Sequence, residues 1–340
     1  MSIQLFVLAF LAALLFFRAR PVRLNDAFLD KKTTSTVNGF FILMVFLSHF
    51  WQYCRGSYPN EVGLLFGQLM VTTFLFYSGY GCAARYQAKG IEYLRTFSRK
   101  RILATLINFD IAVLSFVLVG LLLGHTLTLR QVMLSLVCWD DVGNSNWYIF
   151  AILLCYSAFL LSFGLGHKAP ALIKELVCTA LVVLFVLTLF RVKSHIWYDT
   201  MMCFPAGVVF CLNRDRILDL FKKYYLQFLG AFTLILIVAG LVAGHIRATR
   251  FVYGGVFNIK GISFALIVVM VTMKIELRSP LLRWCGEHLF PIYIYQRIPM
   301  IVFSTLHPSA FSDWRCWIYG IVSFGITILI ASQYRRFKVG

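Results

Sequence analysis

The stretch Ser35–Cys54, STVNGFFILMVFLSHFWQYC, decides how the chain is to be read. From Val37 to Trp51 it carries no Lys, Arg, Asp or Glu, yet an imidazole, His49, stands near its far end among aromatic side chains. Twenty residues of this character rise about 30 Å as a helix, the thickness of a bilayer's hydrocarbon core. Apolar runs of similar length recur from end to end. The 340 residues are 60% hydrophobic and only 14% charged, with a mean hydropathy of +0.79. Soluble domains are about a quarter charged. The composition therefore predicts an all-α, polytopic integral membrane helical bundle with no separate soluble domain.

Set against their flanks, the apolar runs give about 11 transmembrane helices, at roughly 2–17, 36–54, 62–84, 102–124, 147–163, 175–190, 199–212, 226–243, 258–273, 285–306 and 314–333. Residues 1–35 read as an N-terminal anchor helix with a basic linker, and 36–340 as the main transmembrane domain. The first run lacks a basic leader and a small-x-small cleavage site, so it is expected to be retained. Connections alternate in charge: one set, including RYQAKGIEYLRTFSRKR and NRDRILDLFKKYY, holds 23 of the 32 Lys and Arg, and the other holds seven. Cytoplasmic loops are the basic ones. The N-terminus is thus expected outside and the C-terminus in the cytoplasm, across the plasma (inner) membrane.

The same asymmetry accounts for the net charge of +18 without nucleic acid as a partner. The nine cysteines are scattered through apolar runs with no metal-ligand spacing, so neither a metal site nor a disulfide framework is expected. Nucleotide-binding and metalloprotease motifs are absent.

Polar residues inside apolar spans then become the candidates. His49 lies about 20 Å along its helix from the cytoplasmic side, and imidazole can serve as a general base near neutral pH. An ionisable residue at such depth marks function by default; the plainer alternative is an interfacial histidine in an aromatic belt with Trp51 and Tyr53. Asp110 lies in the fourth span, where pairing with Arg99 or Lys100 would offset its burial. Arg297 sits beside Gln296 near mid-membrane. On the outer side Asp140, Asp141, Asn146 and Trp147 combine acceptors with a stacking face, which suits a sugar as well as an ordinary loop. Arg95, Arg99, Lys100 and Arg101 make a dense cytoplasmic cationic stretch that suits phosphates, and that positive-inside topology explains equally.

Four segments, in order, resemble the acyltransferase family 3 membrane proteins. TVNGFFILMVFLSHF resembles the family's opening motif, in which a basic residue, a Gly and an apolar run lead to a His eleven positions later. TTFLFYSGYGCAARY resembles its FFxxSG(F/Y) segment, NSNWYIFAILLCY its Trp-started span, and WCGEHLFPIYIYQRIPMIVF its late LGxxSYxIYLxH segment. Together they cover positions 36 to about 306. The resemblance implies transfer of an acyl group, often acetyl, from cytosolic acyl-CoA as co-substrate to a hydroxyl, often of a carbohydrate, on the outer side. It implies His49 as catalytic base, the basic stretch as donor site, and Ser78, Tyr80 and Asn146 as oxyanion donors. Two positions depart from the family: Asn38 replaces its basic residue and Gln296 its later His. Lys31, Lys32, the basic loop or Arg297 would then supply the missing cation. From Asn38 to His49 is about 16 Å, near the reach of an extended phosphopantetheine arm. Two other readings stay open: a transporter or flippase of a lipid-linked glycan, with Arg297, Lys260 and Asp110 lining its path, and a catalytically lapsed family member.

Overall fold

The computed structural model describes residues 3–54, 60–245, 250–312 and 314–339. Its helices in chain order are α1 Ile3–Phe16, α2 Lys31–Trp51, α3 Asn60–Lys89, α4 Ile91–Arg95, α5 Ala104–Leu122, α6 Leu129–Leu136, α7 Trp147–Leu165 and α8 Ala171–Val192. They continue as α9 Cys203–Leu212, α10 Arg214–Lys223, α11 Tyr225–His245, α12 Arg250–Lys274, α13 Pro280–Glu287, α14 Leu289–Tyr295, α15 Arg297–Leu306 and α16 Cys316–Gln333. The protein is all-α and multi-pass. Two residue pairs make the one sheet among the described residues: β1 (Arg20–Pro21) runs antiparallel to β2 (Ile275–Glu276).

Among the described residues, eight helices are long and apolar enough to cross a membrane. Of the remaining expected spans, the first falls on the 14-residue α1 and the seventh on the 10-residue α9. Pro205 explains the short α9, because it has no N–H for the carbonyl four residues earlier. The third falls on α3, whose first side chains lie outside the described set, as do Arg55 and Arg247 of the sparsely charged loops. The expected tenth span is among the eight as Leu289–Leu306, made of α14 and α15, with turns at His288 before it and at Gln296 within it. Pro291 and Pro299 account for both breaks: each removes the bond to the residue four before it, Glu287 and Tyr295.

The chain divides into two units, Met1–Met70 with Leu266–Arg336, and Val71–Ala265 with Phe337–Gly340. In the first unit α2 is the central helix, with 78% of its apolar window buried. Its far end packs Phe46, Phe50, Trp51 and Cys54 against Met300, Phe311 and Cys316. At its near end it crosses α13 at backbone contact. A Cβ on Gly39 would lie 1.7 Å from the Leu282 carbonyl oxygen, and one on Gly286 1.8 Å from that of Ser35. A strap closes the same unit. Asn25 donates from Nδ2 to the Thr272 carbonyl at 3.0 Å, and its N–H bonds Met273 O at 2.9 Å.

The second unit contains a matching crossing. A Cβ on Gly79 of α3 would lie 2.0 Å from Phe204 O, and one on Gly207 of α9 2.0 Å from Phe76 O. Its core stacks Phe97, Phe159, Phe163 and Phe204. The tail docks on α5, where Asn108 exchanges two hydrogen bonds with the backbone of Val339, at 2.7 and 3.0 Å. By contrast α11 is apolar all round with only 11% of its window buried, as a helix facing lipid tails would be.

Candidate active site

In the first unit the sequence candidates His49, Gln296 and Arg297 converge. His49 sits in the last turn of α2, only 7% exposed. Its ring centroid is 6.1 Å from that of Tyr293 on α14. The Pro299-induced break after Tyr295 starts α15 at Arg297, whose charge acts on both His49 and Tyr293. Arg297 is fixed from the other side by Tyr53: its Nε donates to the phenol oxygen at 3.1 Å, and its guanidinium stacks over the ring at 5.4 Å. Gln296 is fully buried, with Nε2 donating to Tyr293 O at 3.2 Å and no partner for Oε1 among the described residues. The result is an imidazole, two phenols and a guanidinium grouped at one end of α2. Such a group can accept a proton at the imidazole and present hydrogen-bond donors and positive charge to a developing oxyanion.

Asn38 lies eleven residues earlier on α2, next to the Gly39 crossing. Its Oδ1 is buried without a hydrogen-bond partner among the described residues. A neutral amide fills the place, and its acceptor is left open.

The remaining candidates belong to the second unit. Ser78 lies beside Tyr156, and Tyr156 beside Arg101, which also approaches Tyr93. Tyr80 packs its ring 6.2 Å from Phe210. Arg95 pairs with Glu92 at 2.6 Å in an exposed bridge, and Arg99 and Lys100 are exposed. Of the four cations, Arg101 alone joins the motif residue Ser78. Asp110 does not pair with Arg99 or Lys100: no described ion pair includes it, and its Oδ1 is buried without a hydrogen-bond partner among the described residues. The helical rise explains this, since ten residues from Lys100 are about 15 Å.

In the loop before α7, Asn146 turns inward, only 3% exposed, and donates to the carbonyls of Cys138 and Asp140. Asp140 and Asp141 accept from the N–H groups of Asp141 and Gly143. These side chains organise the loop, and Trp147 starts α7 beside it.

Sequence reasoning passed over two features here. Lys193 is held between the indoles of Trp139 and Trp197, at 4.1 and 4.2 Å, and donates to Trp139 O. Burial pulls its ammonium below the usual lysine range, while Asp140 and Asp141 act in the opposite direction. Nearby, His195 Nδ1 bonds Oδ2 of the fully buried Asp199 at 3.0 Å. The signal for this pair was legible as a His and an Asp four residues apart in HIWYD.

All nine cysteines are free and buried. The acyltransferase family 3 model, described as an acyltransferase domain, matches residues 37–332, nearly the whole chain. Neither a curated protein nor a solved structure matches it.

Proposed function

Because the chain belongs to acyltransferase family 3 and is a multi-pass membrane acyltransferase, we propose that it moves an acyl group, acetyl first among them, from acyl-CoA to a hydroxyl of an envelope or exported carbohydrate. The observation that carries this reading is the grouping of His49 with Tyr293, Arg297 and Tyr53 at one end of α2.

The chemistry follows from those groups. His49 takes the proton of the acceptor hydroxyl as its oxygen attacks the thioester carbonyl. Negative charge grows on the carbonyl oxygen, and Arg297 with the phenols of Tyr53 and Tyr293 is placed to stabilise it. Collapse forms the ester, breaks the C–S bond, and returns the proton from His49 to the departing thiolate. Arg297 supplies positive charge, from α15, at the His49 end of α2, about 16 Å of helix from Asn38. The donor side lies toward the basic loops, and the acceptor enters from the opposite, outer face.

The test compares O-acyl ester on surface glycans from cells carrying the wild-type protein or His49→Ala at equal protein levels. A loss of about 100-fold or more is expected for removal of a general base. Unchanged acylation together with failed glycan export would overturn the enzyme reading in favour of glycan transport.

A further inference from the structure

Where α2 ends, two thiols meet from far apart in the sequence, Cys54 and Cys316, 262 positions from one another. Both belong to the first unit and to the packed cluster that holds Phe50, Trp51, Met300 and Phe311. Cys54 is 8% exposed and Cys316 1%, and their thiols are hydrogen-bonded to each other. We infer that Cys54 and Cys316 are a modification site, joined as a disulfide in an oxidising compartment and tying the end of α2 to the start of α16.

The surrounding packing sets the register of the pair. Phe50 fills the notch left by Gly320 on α16, where an added Cβ would lie 2.8 Å from its Cζ. Its ring also faces Phe311 and Trp317, at 6.1 and 6.4 Å between centroids. Cys54 lies four residues beyond Phe50 and Cys316 four residues before Gly320, so each stands about one turn from that contact. The turn past α2 is held as well: the Gln52 N–H bonds His49 O at 3.2 Å, and the Tyr53 N–H bonds Phe50 O at 3.0 Å. Both backbones are thus fixed at a separation that two thiols in contact can span. The sulfurs need only close to about 2.0 Å. The charge alternation of the loops predicts this end of α2 outside, where disulfides persist.

The bond forms by exchange with an external disulfide, which serves as the oxidant. Cys54, the more exposed of the two, gives its proton to water and attacks one sulfur of that disulfide as thiolate, releasing the first thiol. Cys316, deprotonated in turn, attacks the Cys54 sulfur. The new S–S bond forms, the mixed disulfide breaks, and the second thiol leaves. Two electrons and two protons have then passed from the pair to the oxidant. Tyr53, the residue before Cys54, accepts from Arg297 Nε at 3.1 Å, so the bond anchors the segment that holds this guanidinium.

The experiment extracts the full-length protein from membranes directly into excess N-ethylmaleimide; a second sample is first equilibrated with oxidised glutathione. Non-reducing peptide mapping should find Cys54 joined to Cys316 and the other seven of the nine cysteines alkylated. Dithiothreitol should lower the thermal midpoint of the oxidised protein on the order of 5 °C, since the bond closes a long loop. Cys54→Ala and Cys316→Ala should each abolish that difference and melt near the reduced wild type. Should either variant fail to fold, the map of the wild type decides by itself. If all nine cysteines are alkylated in both samples, or if either residue is joined to a different cysteine, the inference is overturned. The mapping asks nothing of acyl transfer. A protein that joins the two cysteines and transfers no acyl group keeps this inference and loses only the proposed function.

Discussion

In each unit a pair of glycines marks a place where two helices cross at backbone contact, and the two crossings differ in what flanks them. Gly39 and Gly286 join α2 to α13, and Gly79 and Gly207 join α3 to α9. Small residues let helices in lipid approach closely, where no hydrophobic driving force acts between them. Beside the second crossing Ser78 lies against Tyr156 and Tyr80 packs on Phe210, while the buried Tyr77 hydroxyl has no hydrogen-bond partner among the described residues. Beside the first, Asn38 Oδ1 has no hydrogen-bond partner among the described residues, and a polar cavity opens within two turns. The same packing device thus stands beside an unpartnered phenol in one region, and beside an unpartnered amide and a cavity in the other. A glycine in such a motif reports a backbone distance; its neighbours report function.

Substitution separates these roles. The largest effect is expected for Gly39→Ala, whose methyl would overlap a carbonyl oxygen. It should cost about 3 kcal/mol, read as a lower denaturant midpoint in detergent. Gly207→Ala should cost somewhat less, about 2 kcal/mol; a wild-type midpoint there would show that the second crossing yields easily and break the parallel. Asn38→Leu removes the open acceptor, and should raise stability by about 1 kcal/mol while transfer falls, which an activity assay run beside the melt would reveal. The smallest change belongs to Gly81→Ala, two residues from Gly79 on the same helix with nothing within 4 Å of the added carbon. It should leave the midpoint unchanged or raise it by under ~1 kcal/mol.

The helical membrane architecture was legible in the sequence because apolar length and basic-loop alternation are properties of the chain alone. Boundaries were less so. The segment 285–306 reads as one apolar run, and its division at His288 and Gln296 depends on two prolines whose cost is local and invisible to hydropathy. His49 was legible from its depth. Its companions were not: Arg297 and Tyr53 are 244 residues apart, and no periodicity links them. Asp110 stands apart from Lys100 because the ten residues between them span about 15 Å of helix, a distance that closeness in sequence hides. Composition leaves the loop before α7 open between a sugar site and an ordinary loop; in the structure Asn146 spends its amide on the loop's own carbonyls. Composition counts donors and acceptors without recording which the backbone has already claimed.

The strap between Asn25 and Thr272 joins residues 247 positions apart. During synthesis at about 5–20 residues per second, Asn25 is made roughly 12 to 50 s before its partner. Throughout that interval the linker ahead of α2 must wait, although α2 itself can already enter the bilayer. The cavity wall contributed by residues 276–283 arrives just after Thr272, so the linker, the wall and the crossing with α13 are completed within about 1 to 3 s of one another. A chain that stops short of residue 272 keeps its histidine-bearing helix and lacks all three. The strap is therefore a marker of synthesis past residue 273, and a pulse-chase of accessibility at Asn25 would read the moment at which that point is passed.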